Sequence, residues 1–186
     1  MSEYTGWKYE YVYGDYGDLY QMLLGGEIDL LAGLAWKEDR QDLIGYPDAA
    51  MGNEIYSLVK HDTDKDVTTD PADLSGKTIG VLDSAMKDVL QKFLEEHHVA
   101  ATVKPYHDYE ALFEDFDSGE IDILAAEGDG AYGREHAEVL FPFGESDYYL
   151  CVNKDRPDIL KELNAAQTML ATEEPNYLHS LKRSII

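Results

Sequence analysis

The chain has 186 residues, enough for one large domain or two small lobes around a buried core. Apolar residues make up 44% and tyrosine alone fills 14 positions, which excludes a disordered polar chain. Against 38 acidic residues stand 15 basic ones, a formal charge of −23, and so negative a surface repels phosphate backbones and anionic lipid and argues against nucleic-acid and membrane-surface roles.

From the N-terminus, Trp7 to Tyr13 reads as a strand. Asp15 is placed to cap a helix, with Tyr16, Leu19, Tyr20 and Leu23 at helical spacing and Gly25-Gly26 as its stop. Ile28 to Ala32 is a short apolar run suited to a buried parallel strand. The stretch Lys60 to Ser75 is charged and turn-rich and reads as a surface crossing. Lys77 to Leu82 is the next strand, Asp83 or Ser84 the cap, and Met86 to Glu96 the helix that follows. A strand at Ala101 to Tyr106 leads to a helix capped by Asp108, with Tyr109, Leu112, Phe113 and Phe116 on one face. Ser118-Gly119 stops it before the strand Ile121 to Ala125. Phe141-Pro142-Phe143-Gly144 then leads to strand Tyr148 to Val152. Pro157 opens a helix with Ile159, Leu160, Leu163, Ala166, Met169 and Leu170 on one face, and Pro175 opens another with Tyr177, Leu178 and Leu181 inward.

The chain repeats itself. Tyr13 to Ala32 laid over Tyr106 to Ala125, a shift of 106 − 13 = 93, matches at 10 of 20 positions without a gap, including Gly26-Glu27-Ile28-Asp29 over Gly119-Glu120-Ile121-Asp122. Each copy reads as a β-α-β unit, which implies a parallel sheet in each half.

Motifs for common chemistry fail. There is no GxSxG, Walker A, GxGxxG or CxxC pattern. His97 and His98 are neighbours on a helix and point apart, and Asp62-Asp64-Asp66 lacks the glycine and distal glutamate of a calcium loop, so neither a metal nor a cofactor is expected. Glu114, Asp115 and Asp117 read as solvated. The lone Cys151 has no internal disulfide partner and lies in an apolar run, which reads as a buried structural thiol. No stretch approaches the roughly 20 apolar residues of a membrane span.

In their order and spacing, GEIDLLAGLAWKEDR (Gly26 to Arg40), LSGKTIGVLDSAMKDVLQKFLEE (Leu74 to Glu96) and SGEIDILAAEGDG (Ser118 to Gly130) resemble the type 2 periplasmic solute-binding proteins. The likeness is to the polar amino-acid class, solute-binding protein family 3, and to receptor sensor domains built on that fold. The resemblance implies an α/β fold of two lobes, each with a parallel or mixed sheet flanked by helices, joined by two hinge strands at Ile55 to Lys60 and Ser146 to Val152. Lobe 1 is expected at 1–57 plus 147–186, and lobe 2 at 58–146. The family opens with a further strand and helix that this chain does not match, so lobe 1 is expected to lack its first β-α unit and to expose a sheet edge through which self-association is expected.

The resemblance also implies where a small polar ligand, an amino acid by preference, is held between such lobes. Arg40 falls where the family clamps the ligand carboxylate with a bidentate guanidinium; the alternative is a surface arginine paired with Glu38 or Asp39. Glu127 falls where the family places an acid that receives the α-amino group; the alternative is a solvated loop carboxylate. Backbone contacts are expected from Gly33, Leu34 and Ala35, although Ala35 replaces a hydroxyl residue common there. Ser84, Ala85 and Met86 open a helix whose free N–H groups suit a carboxylate, with Met86 standing where threonine is frequent. Tyr16 and Trp36 are candidate aromatic walls, with core or rim packing as the alternative.

By this resemblance the chain is a non-catalytic, extracytoplasmic binding domain, with its leader or anchor lying elsewhere. It would serve a membrane partner, as the solute-binding component of an ABC transporter or as the sensor domain of a receptor such as a histidine kinase or cyclic-dinucleotide enzyme. A dehydratase-like enzyme using Glu127 as general acid or base is the alternative, and the effector half of a transcription regulator is disfavoured because DNA-binding helices are lacking.

Overall fold

A strand persists only where a neighbour takes its backbone N–H and C=O groups, and this condition decides which expected elements form. The computed structural model describes residues 2–128 and 134–175. In chain order the elements are α1 (Ser2–Thr5), α2 (Tyr16–Gly25), β1 (Leu30–Ala35), β2 (Ile44–Gly45), β3 (Gly52–His61), β4 (Thr78–Leu82), α3 (Ala85–Glu96), β5 (Thr102–Tyr106), α4 (Tyr109–Ser118), β6 (Ile123–Glu127), β7 (Ala137–Asn153) and α5 (Pro157–Glu173). Short 3-10 turns lie at Glu38–Arg40 and Pro71–Leu74. The chain divides into two compact units, Met1–Asn53 with Asp147–Ile186, and Glu54–Ser146. Only β3 and β7 contain residues of both. The α/β architecture of mixed sheet and flanking helices is the expected one. The helix expected from Pro175, with Tyr177, Leu178 and Leu181, lies outside the described residues.

In the second unit the strands run in the order β7-β3-β6-β4-β5. β4 is parallel to both β5 and β6, while β3 is antiparallel to β6 with Tyr56 opposite Glu127 and Lys60 opposite Ile123. Side chains alternate between two faces with the period of two that a strand imposes. Leu58, Ile123 and Ala125 join Ile79, Val81 and the α3 residues Met86, Leu90 and Leu94 in one core. Val59, Leu124 and Ala126 join Tyr106 and the α4 residues Leu112 and Phe116 in the other. The four-residue spacing of Met86, Leu90 and Leu94 puts them in one stripe, and each fully buried leucine contributes about 1.5–3 kcal/mol. Lys60 is buried, and its ammonium donates to the carbonyls of Asp64 (2.8 Å) and Val67 (2.9 Å), pinning the surface crossing to β3.

In the first unit β1 and the two-residue β2 both pair antiparallel with β7. Leu23, Leu34, Ile44 and Cys151 form its core, flanked by Tyr46 and Tyr149, whose rings meet edge to face at 5.4 Å. Buried Asn153 takes the Leu23 carbonyl at the end of α2 with its amide (2.6 Å), while Gly26 turns the chain at φ 78°.

Two expectations are corrected here. Trp7 to Tyr13 is not a strand: no strand among the described residues pairs with it, and Tyr11 and Tyr13 stand 74% and 90% exposed. The first unit is accordingly not a parallel sheet, because β1 has only antiparallel pairing on β7. The segment is tethered instead at its start, where the Trp7 indole donates to Glu162 of α5 at 2.7 Å.

Gly80 on β4 sits where a methyl group would meet Leu112 Cδ1 at 2.7 Å and the Ile121 Cδ1 still more closely. Gly80→Ala is expected to overpack the α4 face and to cost about 1–3 kcal/mol. A lowered urea midpoint with an unchanged slope is the expected reading; an unchanged midpoint would refute it.

Candidate functional site

The repeat places the same peptide, a helix stop followed by an apolar strand, at the start of both candidate groups. In the first unit β1 carries a register shift between Leu31, opposite Cys151, and Leu34, opposite Tyr149. This bulge holds Gly33 at φ 84°, a left-handed conformation that glycine adopts without strain, and nothing stands within 4 Å of where its Cβ would be. Leu34 turns its side chain fully into the core, so only its backbone is available to a ligand. The Ala35 carbonyl accepts from the Tyr46 hydroxyl (2.9 Å) and from Arg40 Nη1 (3.4 Å). That carbonyl is therefore committed within the unit, narrowing the backbone contribution expected of Ala35.

Arg40, at the end of the 3-10 turn, lies with its guanidinium carbon 5.1 Å from the centre of the Tyr20 ring. Burial raises the Tyr16 phenol, and pushes both the Tyr46 phenol and the Cys151 thiol up to about 12; the positive charge of Arg40 opposes all three shifts. Among the described residues no carboxylate comes within 4.0 Å of Arg40, so the pairing with Glu38 or Asp39 does not occur. A guanidinium has five N–H donors; that of Arg40 donates to the Ala35 carbonyl and is hydrogen-bonded to the side chains of Tyr16 and Tyr46 as well. Tyr16 and Trp36 are half exposed, at 50% and 51%. Tyr16 is beside Arg40; Trp36 makes no ring contact among the described residues.

In the second unit Ser84 caps α3, its hydroxyl accepting from the Met86 N–H at 3.3 Å. The Met86 side chain is fully buried in the core. The N–H groups of Ser84 and Met86 are thus engaged, by the Leu82 carbonyl at 2.8 Å and by the Ser84 hydroxyl, so less of this helix start is open to a ligand. Cys151 and Met86 show the same rule: an apolar residue at helical or strand spacing goes to the core first.

Glu127 ends β6 and is partly buried. Burial raises its carboxyl above the ordinary 4.5, and a hydrogen bond from the Tyr109 hydroxyl opposes that rise. Beside it Gly128 donates its N–H to the Ile55 carbonyl (2.8 Å), and a Cβ on Gly128 would meet Glu54 Oε1 at 2.8 Å. Burial and then the charges of Glu127, Tyr56 and Glu54 push the Tyr109 phenol up. Glu54, Tyr109 and Glu127 are therefore one group.

Four members escaped the sequence reading. Tyr20 and Tyr109 were visible as apolar helix positions, but not as partners of Arg40 and Glu127. Tyr46 and Glu54 carry no local signal, because what they meet is set by pairing across the sheet. Among the described residues no cluster of three metal-ligating side chains occurs and no helix is long and apolar enough to cross a membrane.

Neither a family model nor a curated protein matches the chain. Solved structures do. An ancestral arginine-binding protein bound to arginine is 20% identical, covers 92% of this chain and 78% of its own, and superposes with a TM-score of 0.71. Substrate-binding domain 2 of Lactococcus lactis GlnP, in an open conformation, is 19% identical over 95% of this chain and 78% of its own, with a TM-score of 0.60. An amino-acid ABC transporter substrate-binding protein of Streptococcus pneumoniae bound to L-arginine is 16% identical over 91% and 72%, with a TM-score of 0.69. The chain has the fold of the type 2 periplasmic solute-binding proteins.

The raised Glu127 carboxyl fixes a sign. Its contribution to stability is fully present below pH 4.5, its ordinary value, and is lost as pH rises through the higher folded value. Glu127→Gln carries no such loss. Its melting temperature relative to the unsubstituted protein is expected to climb from pH 4.5 toward neutrality and then level off; a difference independent of pH would show that Glu127 titrates normally.

Proposed function

We propose that this chain is an extracytoplasmic binding domain for a small polar molecule, an amino acid by preference, with Arg40 receiving the ligand carboxylate and Glu127 its amino group. The two compact units are read as the two lobes of the fold. The observation that carries the reading is Arg40: a half-buried guanidinium steadied by Tyr20 and the Ala35 carbonyl, with no carboxylate within 4.0 Å among the described residues. A partly buried guanidinium with no carboxylate beside it among the described residues leaves donors for a ligand carboxylate to take. Glu127, raised by burial and hydrogen-bonded to Tyr109, offers the complementary charge. The neighbours in fold include proteins bound to arginine, which supports an amino acid over other polar solutes. They also favour a transporter component as the role over the sensor domain of a signalling receptor, and in either role the partner is a membrane protein.

Thermal shift across the proteinogenic amino acids tests this directly. At least one is expected to raise the melting temperature with concentration, by about 2.7 kcal/mol of added stability at a hundredfold excess over Kd. Arg40→Ala is expected to abolish the shift while leaving the unliganded protein folded, and Arg40→Lys to weaken it by losing the bidentate geometry. A shift that survives Arg40→Ala would overturn the assignment.

β1 ends the strand order, and its outer edge has no partner among the described residues. This supports self-association by strand addition at that edge. Light scattering should show a dimer that a proline at Ala32 dissociates; a monomer at every concentration would exclude it.

A further inference from the structure

We propose that Arg134 is a positioning residue for the candidate site: it clamps α4 at Asp117 and Phe113, and through Phe113 it holds Tyr109 against Glu127. The inference deepens the proposed amino-acid reading, on which it rests for one consequence, that Arg134 tunes the affinity for the ligand's amino group.

The contacts form one row within the second unit. Tyr109, Phe113 and Asp117 are four residues apart on α4, a spacing that sets them one above the next on a single face. The Tyr109 and Phe113 rings stack, with centroids 5.6 Å apart and planes 26° from parallel. The Arg134 guanidinium carbon lies 4.0 Å from the centre of the Phe113 ring. Its Nη1 donates to both carboxylate oxygens of Asp117, at 2.8 and 3.0 Å. Tyr109 ends the row, and its hydroxyl donates to Glu127 at the end of β6.

What the clamp supplies is geometry. Asp117 is 60% exposed, so its pair with Arg134 adds little to overall stability. A guanidinium held by a carboxylate and laid on an aromatic ring cannot swing away without losing both contacts. Phe113 is kept in place from the other quarter by the core of Leu112 and Phe116. Tyr109 stands at the first position of α4, 38% exposed, and its stack on Phe113 works against rotamers that would carry the hydroxyl into water. Glu127, Tyr56 and Glu54 bear on that phenol by charge. Burial pushes the Glu127 carboxyl up and the Tyr109 hydrogen bond opposes that rise, so loosening Tyr109 lets the carboxyl rise further. A ligand ammonium binds the ionised carboxylate best, and this ties the row to affinity.

Nuclear magnetic resonance titration of the Glu127 carboxyl in the ligand-free full chain tests the row, with calorimetry on L-arginine and L-glutamine as probes beside it. Tyr109→Phe keeps the stack and removes the hydroxyl, and is expected to raise the Glu127 midpoint. Arg134→Lys keeps the charge and loses the fork, and is expected to raise it too, as is Asp117→Asn. The last is the sharpest arm, because removing a nearby negative charge would by itself lower a carboxyl. In the Tyr109→Phe background neither substitution is expected to move the midpoint further. A midpoint that both leave unchanged, that both raise equally without the Tyr109 hydroxyl, or that falls with Asp117→Asn overturns the positioning role. An unchanged urea midpoint establishes that a variant is folded, and one intact variant of the two suffices. Both are also expected to weaken whichever probe binds by about three- to tenfold; unchanged affinity overturns the link to the ligand. If neither probe binds and a full amino-acid panel gives no thermal shift, the amino-acid reading falls, while the titration decides the role of Arg134 independently.

Discussion

A seventeen-residue strand cannot satisfy its own backbone, and everything else in this chain is arranged around what β7 must pair with. Its first part neighbours β3 in the second unit, and its last residues pair with β1 and β2 in the first. An unpaired buried N–H or C=O costs about 1–3 kcal/mol, so loss of either set of neighbours would leave part of the strand unsupported. β7 therefore fixes the register of β1, and with it the bulge at Gly33 and the position of the Ala35 carbonyl. The same strand supplies Asn153, whose amide closes the end of α2. Arg40 owes its position to this chain of dependence, through the carbonyl it contacts.

In the second unit the sheet works through its two faces. Alternate residues of β3 and β6 go to the α3 core and to the α4 core, which leaves the strand ends as the places where polar side chains can stand. Glu127 is at such an end, and α4 delivers Tyr109 to it because Asp108 caps that helix at the Ala111 N–H, 2.8 Å away. The two units thus each carry a polar group held by rigid elements, one positive and flanked by tyrosines, the other negative and flanked by a tyrosine.

The architecture could be read from the sequence wherever the signal was local, whereas Arg40 and Glu127 are marked by a family resemblance and by no local pattern. The second repeat was legible because its cap, its apolar stripe and its glycine stop lie within a few residues and agree. The first repeat misled at Trp7 to Tyr13, since alternation tells which side chains share a face and says nothing about whether a neighbouring strand exists. Identical caps also diverged: Asp108 bonds the Ala111 N–H, whereas Asp15, at φ −66° instead of −142°, makes no side-chain cap. Glu54 could not be found by spacing at all, because it meets Gly128 only through the register of β3 on β6. Met86 shares a helical stripe with Leu90 and Leu94, and that spacing carries its side chain into the core.

The outermost strand of the second unit has one further consequence. Thr102 donates its N–H to the Lys77 carbonyl, so alternate residues along β5 direct theirs inward, and position 105 is one that would point to open solvent. Proline occupies it, and the exposed Lys104 adjoins it. The outer rail of β5 is missing a donor at its centre, which blunts it as a template, whereas β1 carries no proline. Growth by edge-to-edge stacking needs two receptive rails per molecule, and of the two end strands among the described residues β5 is interrupted by proline while β1 is not. The proline at 105 therefore works against open-ended growth through the β5 edge.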